Sequence, residues 1–181
     1  MVTPEEVIAF WFVEHGGSDW WSAKPEFDRE IADRFAETHA RLAQGEGFSW
    51  RTTPEGRLAE IIVLDQFSRQ LYRGDPRAFA QDGMALVLAE EAVAGGFDRT
   101  LEIDQRTFLY MPFMHSESVL VHEIAQPLFA AIAGNDVLKS AADHLEVLRR
   151  FGRFPKRNAA LGRASTPEEL AYVAGIGDRL F

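Results

Sequence analysis

Two groups of residues in this chain have the types and spacing to do chemistry. His115 and Glu117 stand two residues apart in a break between apolar segments, and an imidazole beside a carboxylate is the usual equipment for proton transfer. The second group is rich in arginine. Arg69 and Arg73 are four residues apart, so a helix would carry both on one side, and Arg153, Arg157 and Asn158 fall in the stretch Phe151 to Glu169. Guanidinium forks bind carboxylate or phosphate bidentately and keep their charge when partly desolvated. From Val147 to Pro167 there is no Asp or Glu, while Arg149, Arg150, Arg153, Lys156, Arg157 and Arg163 place six positive charges there; with a net charge of −9, the rest of the chain carries −15. A positive island in an acidic protein meets either internal carboxylates or an anionic ligand.

Those alternatives define two readings. In one, Arg69, Arg73, His115, Glu117, Arg153, Arg157 and Asn158 converge on a pocket for a small anionic metabolite bearing phosphate or carboxylate. There His115 and Glu117 would be the proton-transfer groups. In the other, the arginines pair with Asp65, Glu117 and helix C-terminal carbonyls, and the function would be that of an adaptor holding a peptide or protein partner in a concave groove. Asp65 and Arg69 bear on both, because this i,i+4 acid–base pair occupies positions where the helical pattern calls for aliphatic residues. It is therefore read as a structural ion pair, and charges so placed need partners. Contact with nucleic acid is the least favoured class, since its usual footprint is a basic face on a basic domain.

Familiar catalytic signatures are missing. There is no Walker loop, Rossmann glycine pattern, Gly-x-Ser-x-Gly elbow or His-Glu-x-x-His, and no cofactor is expected. With no Cys in the chain, thiolate metal sites and disulfides are excluded. A metal set of His115, Glu117, His122 and His144 can be assembled on paper, but five scattered histidines give such sets readily and His122 lies off the apolar face assigned to its helix. No metal is expected.

Helices must position all of these groups. Thr3-Pro4-Glu5-Glu6 reads as an N-cap, a proline at the first helical position and a capping-box Glu, starting a helix that runs to about Glu14. Phe27, Ile31, Phe35 and Leu42 mark the second helix, with His39 near its C-terminal end, where the helix dipole is reason enough for it. Thr53-Pro54 starts the third, which continues to Gly74 with one stripe of Leu58, Ile61 and Ile62 and an opposite one of Leu64, Phe67 and Leu71. Two such faces make it a central helix. A fourth is expected from Asp75-Pro76, with Phe79, Met84, Leu88 and Val93 inward. The fifth spans about Asp104 to Met114, with a kink or early end at Pro112. Ser116 is the expected N-cap of the sixth, whose stripe is Leu120, Ile124, Leu128 and Ile132. Leu138, Ala141, Leu145 and Leu148 define the seventh, where Arg149 and Arg150 complement the dipole, and Thr166-Pro167-Glu168-Glu169 caps the last.

Seven or eight helices with no strand pair predict an all-α fold, and 181 residues are most simply one domain, residues 1–181. The longest apolar runs are seven residues, Val7–Val13 and Phe108–Met114, against the ~20 a membrane span needs, and Met1–Glu6 lacks a basic n-region. A soluble cytoplasmic protein is expected.

Three stretches, Leu64 to Gly74, Phe108 to Glu117 and Phe151 to Glu169, together resemble a bacterial family known as domain of unknown function family 924, in the family's order and over nearly the whole chain. The resemblance implies an all-helical fold similar to tetratricopeptide-like superhelices and carries no activity with it. Ser68 stands where many relatives have Pro, which would remove a helix kink.

Overall fold

The computed structural model describes residues 1–132 and 134–177; among them the regular structure is helical and no strand occurs. The all-α expectation holds. The Thr3 hydroxyl accepts from the Glu6 amide at 3.4 Å while the Glu6 carboxylate accepts from the Thr3 amide at 2.7 Å, closing the box that opens α1 (Pro4–Ala9). The helix continues through a π-helical turn at Phe10–Glu14. A short α2 (Gly17–Trp20) leads to α3 (Pro25–Leu42).

At the centre lie α4 (Pro54–Ile62), a second π-helical turn at Val63–Phe67 and α5 (Ser68–Leu71). Leu58 through Ser68 are buried without a break, so this segment must be enclosed on all sides. Helix α1 packs on α4, and α3 packs on α5 and the π turn. From the other side α4 meets α6 (Asp82–Ala94) and α7 (Ile103–His115). Each large apolar side chain taken fully out of water contributes ~1.5–3 kcal/mol. Val7, Phe10, Trp11, Leu58, Ile61, Ile62, Leu64 and Phe67 have no exposed surface at all. Beyond α7 the chain stacks on as α8 (Val119–Ile132) and α9 (Asn135–Phe151). Gly152, with φ of 70°, ends α9 in the left-handed conformation that glycine adopts without a side-chain clash. A smaller cluster of Val147, Leu148 and Phe154 joins this end to α10 (Pro167–Ile176) through Phe151 and Tyr172. No helix among the described residues is long and apolar enough to cross a membrane.

Several local expectations are corrected. The segment after Asp75 is only a 3-10 turn, Pro76–Phe79, and α6 starts at Asp82. Its buried face is Ala85, Leu88, Ala89 and Ala92, so of the four inward residues expected only Leu88 is buried and the others are half-buried. The helix is apolar on most sides, and close approach to α4 and α7 selects the face with the smallest side chains. Helix α7 runs through Pro112 to His115 without ending. Ser116 does not cap α8: its hydroxyl accepts from the Ser118 amide, and the Ser118 hydroxyl accepts from Val121 at the helix start. The stripe of α8 is also turned, burying His122, Ala125, Phe129 and Ile132 and leaving Leu120 and Ile124 exposed. His122 is thus on the inward face, not off it. His39 is buried as well, its Nε2 bonded to Ser68 Oγ at 2.7 Å; burial lowers its pKa, so the dipole reading does not apply to it. The absence of Pro at position 68 does not leave the third helix regular, because the π turn lies immediately before Ser68.

Candidate functional site

A cavity of about 550 Å³ lies between the central helix, the α2 region and the facing helices α7 and α9. Its wall is mainly apolar: Trp20, Trp21, Ala78, Phe79, Met111, Met114 and Val137. The polar groups among the lining residues include Gln66, Gln70, Arg69, Arg73, His115, Asp136 and His144. Trp21, 52% exposed and stacked on Phe108 at 5.6 Å between ring centroids, borders the cavity from the outside.

Asp65 organises the polar side of this region. The π turn inserts it into the core, where its side chain has no exposed surface. Three donors surround it. His115 Nδ1 lies 2.7 Å from Oδ1, Gln66 Nε2 donates to Oδ2 at 2.5 Å, and Arg69 Nη1 stands 3.2 Å from Oδ1. Burial alone would push this carboxyl up; the Arg69 charge and then the His115 contacts outweigh it and hold the pKa at about 2. His115 is shifted the other way. Burial lowers its pKa first and the Arg69 charge lowers it further, which exceeds the pull of Asp65. The imidazole is therefore neutral at pH 7, and an ionised Asp65 fixes its proton on Nδ1. Nε2 keeps its lone pair and makes no hydrogen bond among the described residues.

The arginines at the cavity are already engaged. Arg69 donates to both oxygens of Asp82 at 3.0 and 3.1 Å and to the Asp65 carbonyl at 2.6 Å. Arg73 forms a fork with Asp28 at 2.8 and 2.7 Å. Arg157, almost wholly buried, sits behind the wall. It bonds Asp82 at 3.1 Å and its guanidinium lies between the rings of Phe79 and Phe154, at 4.8 and 4.6 Å from their centroids. Burial and the Arg69 charge pull its pKa down to about 10, which still leaves it protonated at neutral pH.

The remaining predicted site residues point elsewhere. Arg153 forks onto Glu169 at 2.7 and 2.8 Å and also donates to the Ala164 carbonyl. Asn158 donates to Ser165 and accepts from Arg163. Glu117 receives both Arg163 donors at 2.6 and 2.9 Å and the Phe154 amide at 2.7 Å. Burial opposes ionisation of Glu117, but Arg163 and that amide outweigh it and lower its pKa. It is an anchor for the segment after α9 rather than a partner of His115. The structure thus brings Arg69, Arg73 and His115 to one cavity, sets Arg157 behind it, and leaves Arg153, Asn158 and Glu117 outside it.

The four groups of the metal set are separately occupied. His122 Nε2 bonds the Ser116 carbonyl and His144 Nδ1 the Ser140 carbonyl, while His115 and Glu117 are held as described. Among the described residues, no three His, Cys, Asp or Glu side chains are grouped to hold a metal ion.

Sequence reading did not find Asp82, Gln66, Gln70 or the Trp20–Trp21 wall. Asp82 looks like an ordinary acid in the first turn of a helix, and nothing local marks it as the shared partner of Arg69 and Arg157. For Asp65 the signal was present, as a charge on an apolar stripe. Its bond to His115, 50 positions away, leaves no periodic trace.

Residues 7–177 match the family of bacterial proteins of unknown function DUF924. The chain is also similar to a solved structure of a protein of unknown function from Agrobacterium tumefaciens, with 36% identity, a TM-score of 0.89, and coverage of 93% of this chain and 95% of that one. No curated protein matches. The chain belongs to the DUF924 family.

Proposed function

We propose that this member of the DUF924 family binds a small molecule with an apolar body in the cavity between α5, α7 and α9, and that His115, oriented by Asp65, accepts a hydrogen bond or a proton from it. The carrying observation is the Asp65–His115 pair at the wall of a cavity large enough for a small ligand. A neutral imidazole tied through Nδ1–H to a carboxylate has its Nε2 lone pair free to act as a general base, and the same carboxylate stabilises the imidazolium that forms. Gln66 and Arg69 hold Asp65 in place for that role. The apolar wall supplies binding through burial of ligand surface.

Recognition of an anion has less behind it. Arg69 and Arg73 do line the cavity, but each guanidinium already has a carboxylate on its fork. An incoming anion would have to displace Asp82 or Asp28.

Histidine-selective ¹⁵N NMR is expected to show His115 as the neutral Nδ1–H tautomer at pH 7. A protein-observed NMR screen of small compounds with apolar bodies is expected to give saturable shifts centred on Trp21, Gln70 and His115, weakened by His115→Gln. An imidazolium at pH 7, or hits that all map away from these residues, would refute the reading.

A further inference from the structure

Arg69 stands close enough to Asp65 to take it from His115, and the hydrogens on its guanidinium explain why it does not. Its Nη1 lies 3.2 Å from Asp65 Oδ1, the oxygen that meets His115 Nδ1 at 2.7 Å. That nitrogen carries two hydrogens. One goes to the Asp65 main-chain carbonyl at 2.6 Å and the other to Asp82 Oδ1 at 3.0 Å, while Nη2 donates to Asp82 Oδ2 at 3.1 Å. At Asp65 Oδ1 the arginine therefore supplies charge without a hydrogen bond, and the imidazole keeps the lone pair.

Asp82, in the first turn of α6, is itself held from a second side. Arg157, in the turn Pro155–Arg157, donates to Asp82 Oδ2 at 3.1 Å from a side chain that is 5% exposed and fixed between the rings of Phe79 and Phe154. Two arginines thus clamp one carboxylate. The set also closes in charge, with Asp65 and Asp82 against Arg69 and Arg157 and with His115 neutral. Without Asp82 the fork of Arg69 loses both acceptors, and Asp65 is the other carboxylate within ion-pair distance of it among the described residues. A bidentate arginine–carboxylate pair is among the strongest side-chain contacts. Formed on Asp65, it would displace His115 from Oδ1 and Gln66 from Oδ2.

We propose that Asp82, clamped by Arg157, is a positioning residue for His115: by occupying the fork of Arg69 it reserves Asp65 Oδ1 for His115 Nδ1–H and keeps the Nε2 lone pair available. This inference rests on the small-molecule reading above and deepens it. It also gives Arg157, from the basic stretch, a task at the cavity that needs no contact with a ligand. Its charge acts on His115 through Asp82, Arg69 and Asp65 in turn.

Histidine-selective ¹⁵N NMR at pH 7 reads the outcome, because the protonated and the lone-pair nitrogen of a neutral imidazole resonate far apart. His115 is expected as the Nδ1–H tautomer in the parent and in Asp82→Glu, which keeps a carboxylate at a position that is 17% exposed. In Asp82→Asn the amide sets a donor against Arg69, the fork turns to Asp65, and the ratio of Nδ1–H to Nε2–H is expected to fall by about tenfold or more. Arg157→Met keeps an apolar chain between the two rings and removes the bond to Asp82. It is expected to lower the ratio by about threefold, and it decides the matter where Asp82→Asn does not fold. A merely structural role for Asp82 would lower the melting temperature and leave the tautomer ratio as in the parent. That result in Asp82→Asn, or in Arg157→Met where it alone folds, would overturn the inference and leave the small-molecule reading standing. Asp82→Glu losing the ratio as fully as Asp82→Asn would do the same. A parent in which His115 is already the Nε2–H tautomer would overturn both.

Discussion

Replacing Asp65 by Ala removes the one carboxylate that His115, Gln66 and Arg69 share, and its cost can be worked from their geometry. Arg69 keeps its fork on Asp82, so its charge is not orphaned. The His115 and Gln66 donors lose their acceptor inside the core, at ~1–3 kcal/mol each. Adding the small void left in a closely packed region, Asp65→Ala is expected to cost about 3–5 kcal/mol, the range found when one partner of a buried pair is removed. At roughly 2–4 °C per kcal/mol for a chain of this size, the melting temperature falls by roughly 6–20 °C. Asp65→Asn keeps the shape and one acceptor but turns the other into a donor facing donors, and about 1.5–3 kcal/mol is expected. Urea unfolding with an unchanged m value measures both. A pH series adds a second check. The folded pKa of about 2 lies below the ~3.9 of an unfolded Asp, so this stabilisation is complete above that unfolded value and is lost as pH falls through the folded one. The parent should lose about 2 kcal/mol to this group over that interval and Asp65→Asn none. An Asp65→Ala protein within ~1 kcal/mol of the parent would refute the network, since leaving the His115 and Gln66 donors without their acceptor costs more than that.

His144 supplies a separate acid-lability test: burial holds its pKa down to about 4 despite the Ser140 carbonyl that its Nδ1–H meets. Stability from this neutral imidazole is full above the unfolded value near 6.5 and falls by ~1.4 kcal/mol per pH unit below it. The parent should therefore lose about 3 kcal/mol more than His144→Gln by pH 4, and parallel pH profiles would contradict the burial assigned to it. Gly56→Ala is expected to destabilise by ~1–3 kcal/mol, although it lies in a helix, because a Cβ there runs into the Trp50 carbonyl oxygen. Gly83→Ala in α6, where a Cβ meets nothing within 4 Å, should instead stabilise by ~0.5–1 kcal/mol. Thermal melts of the two variants moving in the same direction would contradict that contrast.

Much of the helical frame was legible from local physical chemistry. Caps such as Thr3 with Glu6 and Thr166 with Glu169 are short-range hydrogen bonds written into neighbouring residues, and both form. The double stripe of the third helix announced a segment enclosed on all sides, and it drew attention to Asp65 and Arg69 as charges in need of partners. Pattern alone failed where apolar residues surround a helix. In α6 and α8 it could not say which face packs, and the turned stripe of α8 buried His122 and exposed Leu120 and Ile124. The π turns were invisible for a related reason, since a uniform period of 3.6 residues cannot register one extra residue in a turn.

The partner of each arginine was a matter for tertiary structure. Residues 69, 73 and 153 find their acids 13, 45 and 16 positions away, at Asp82, Asp28 and Glu169. Asp82 and Asp28 do not differ in their local sequence from ordinary surface carboxylates, and Glu169 is marked there only as a cap for its own helix. The same holds for the His115–Asp65 bond and for the acceptor of Gln70 left without a donor. Periodicity records which side of a helix meets apolar neighbours, a property averaged over several turns. A site depends on where single polar atoms from distant segments come within about 3 Å of one another, and only the packing of whole helices decides that.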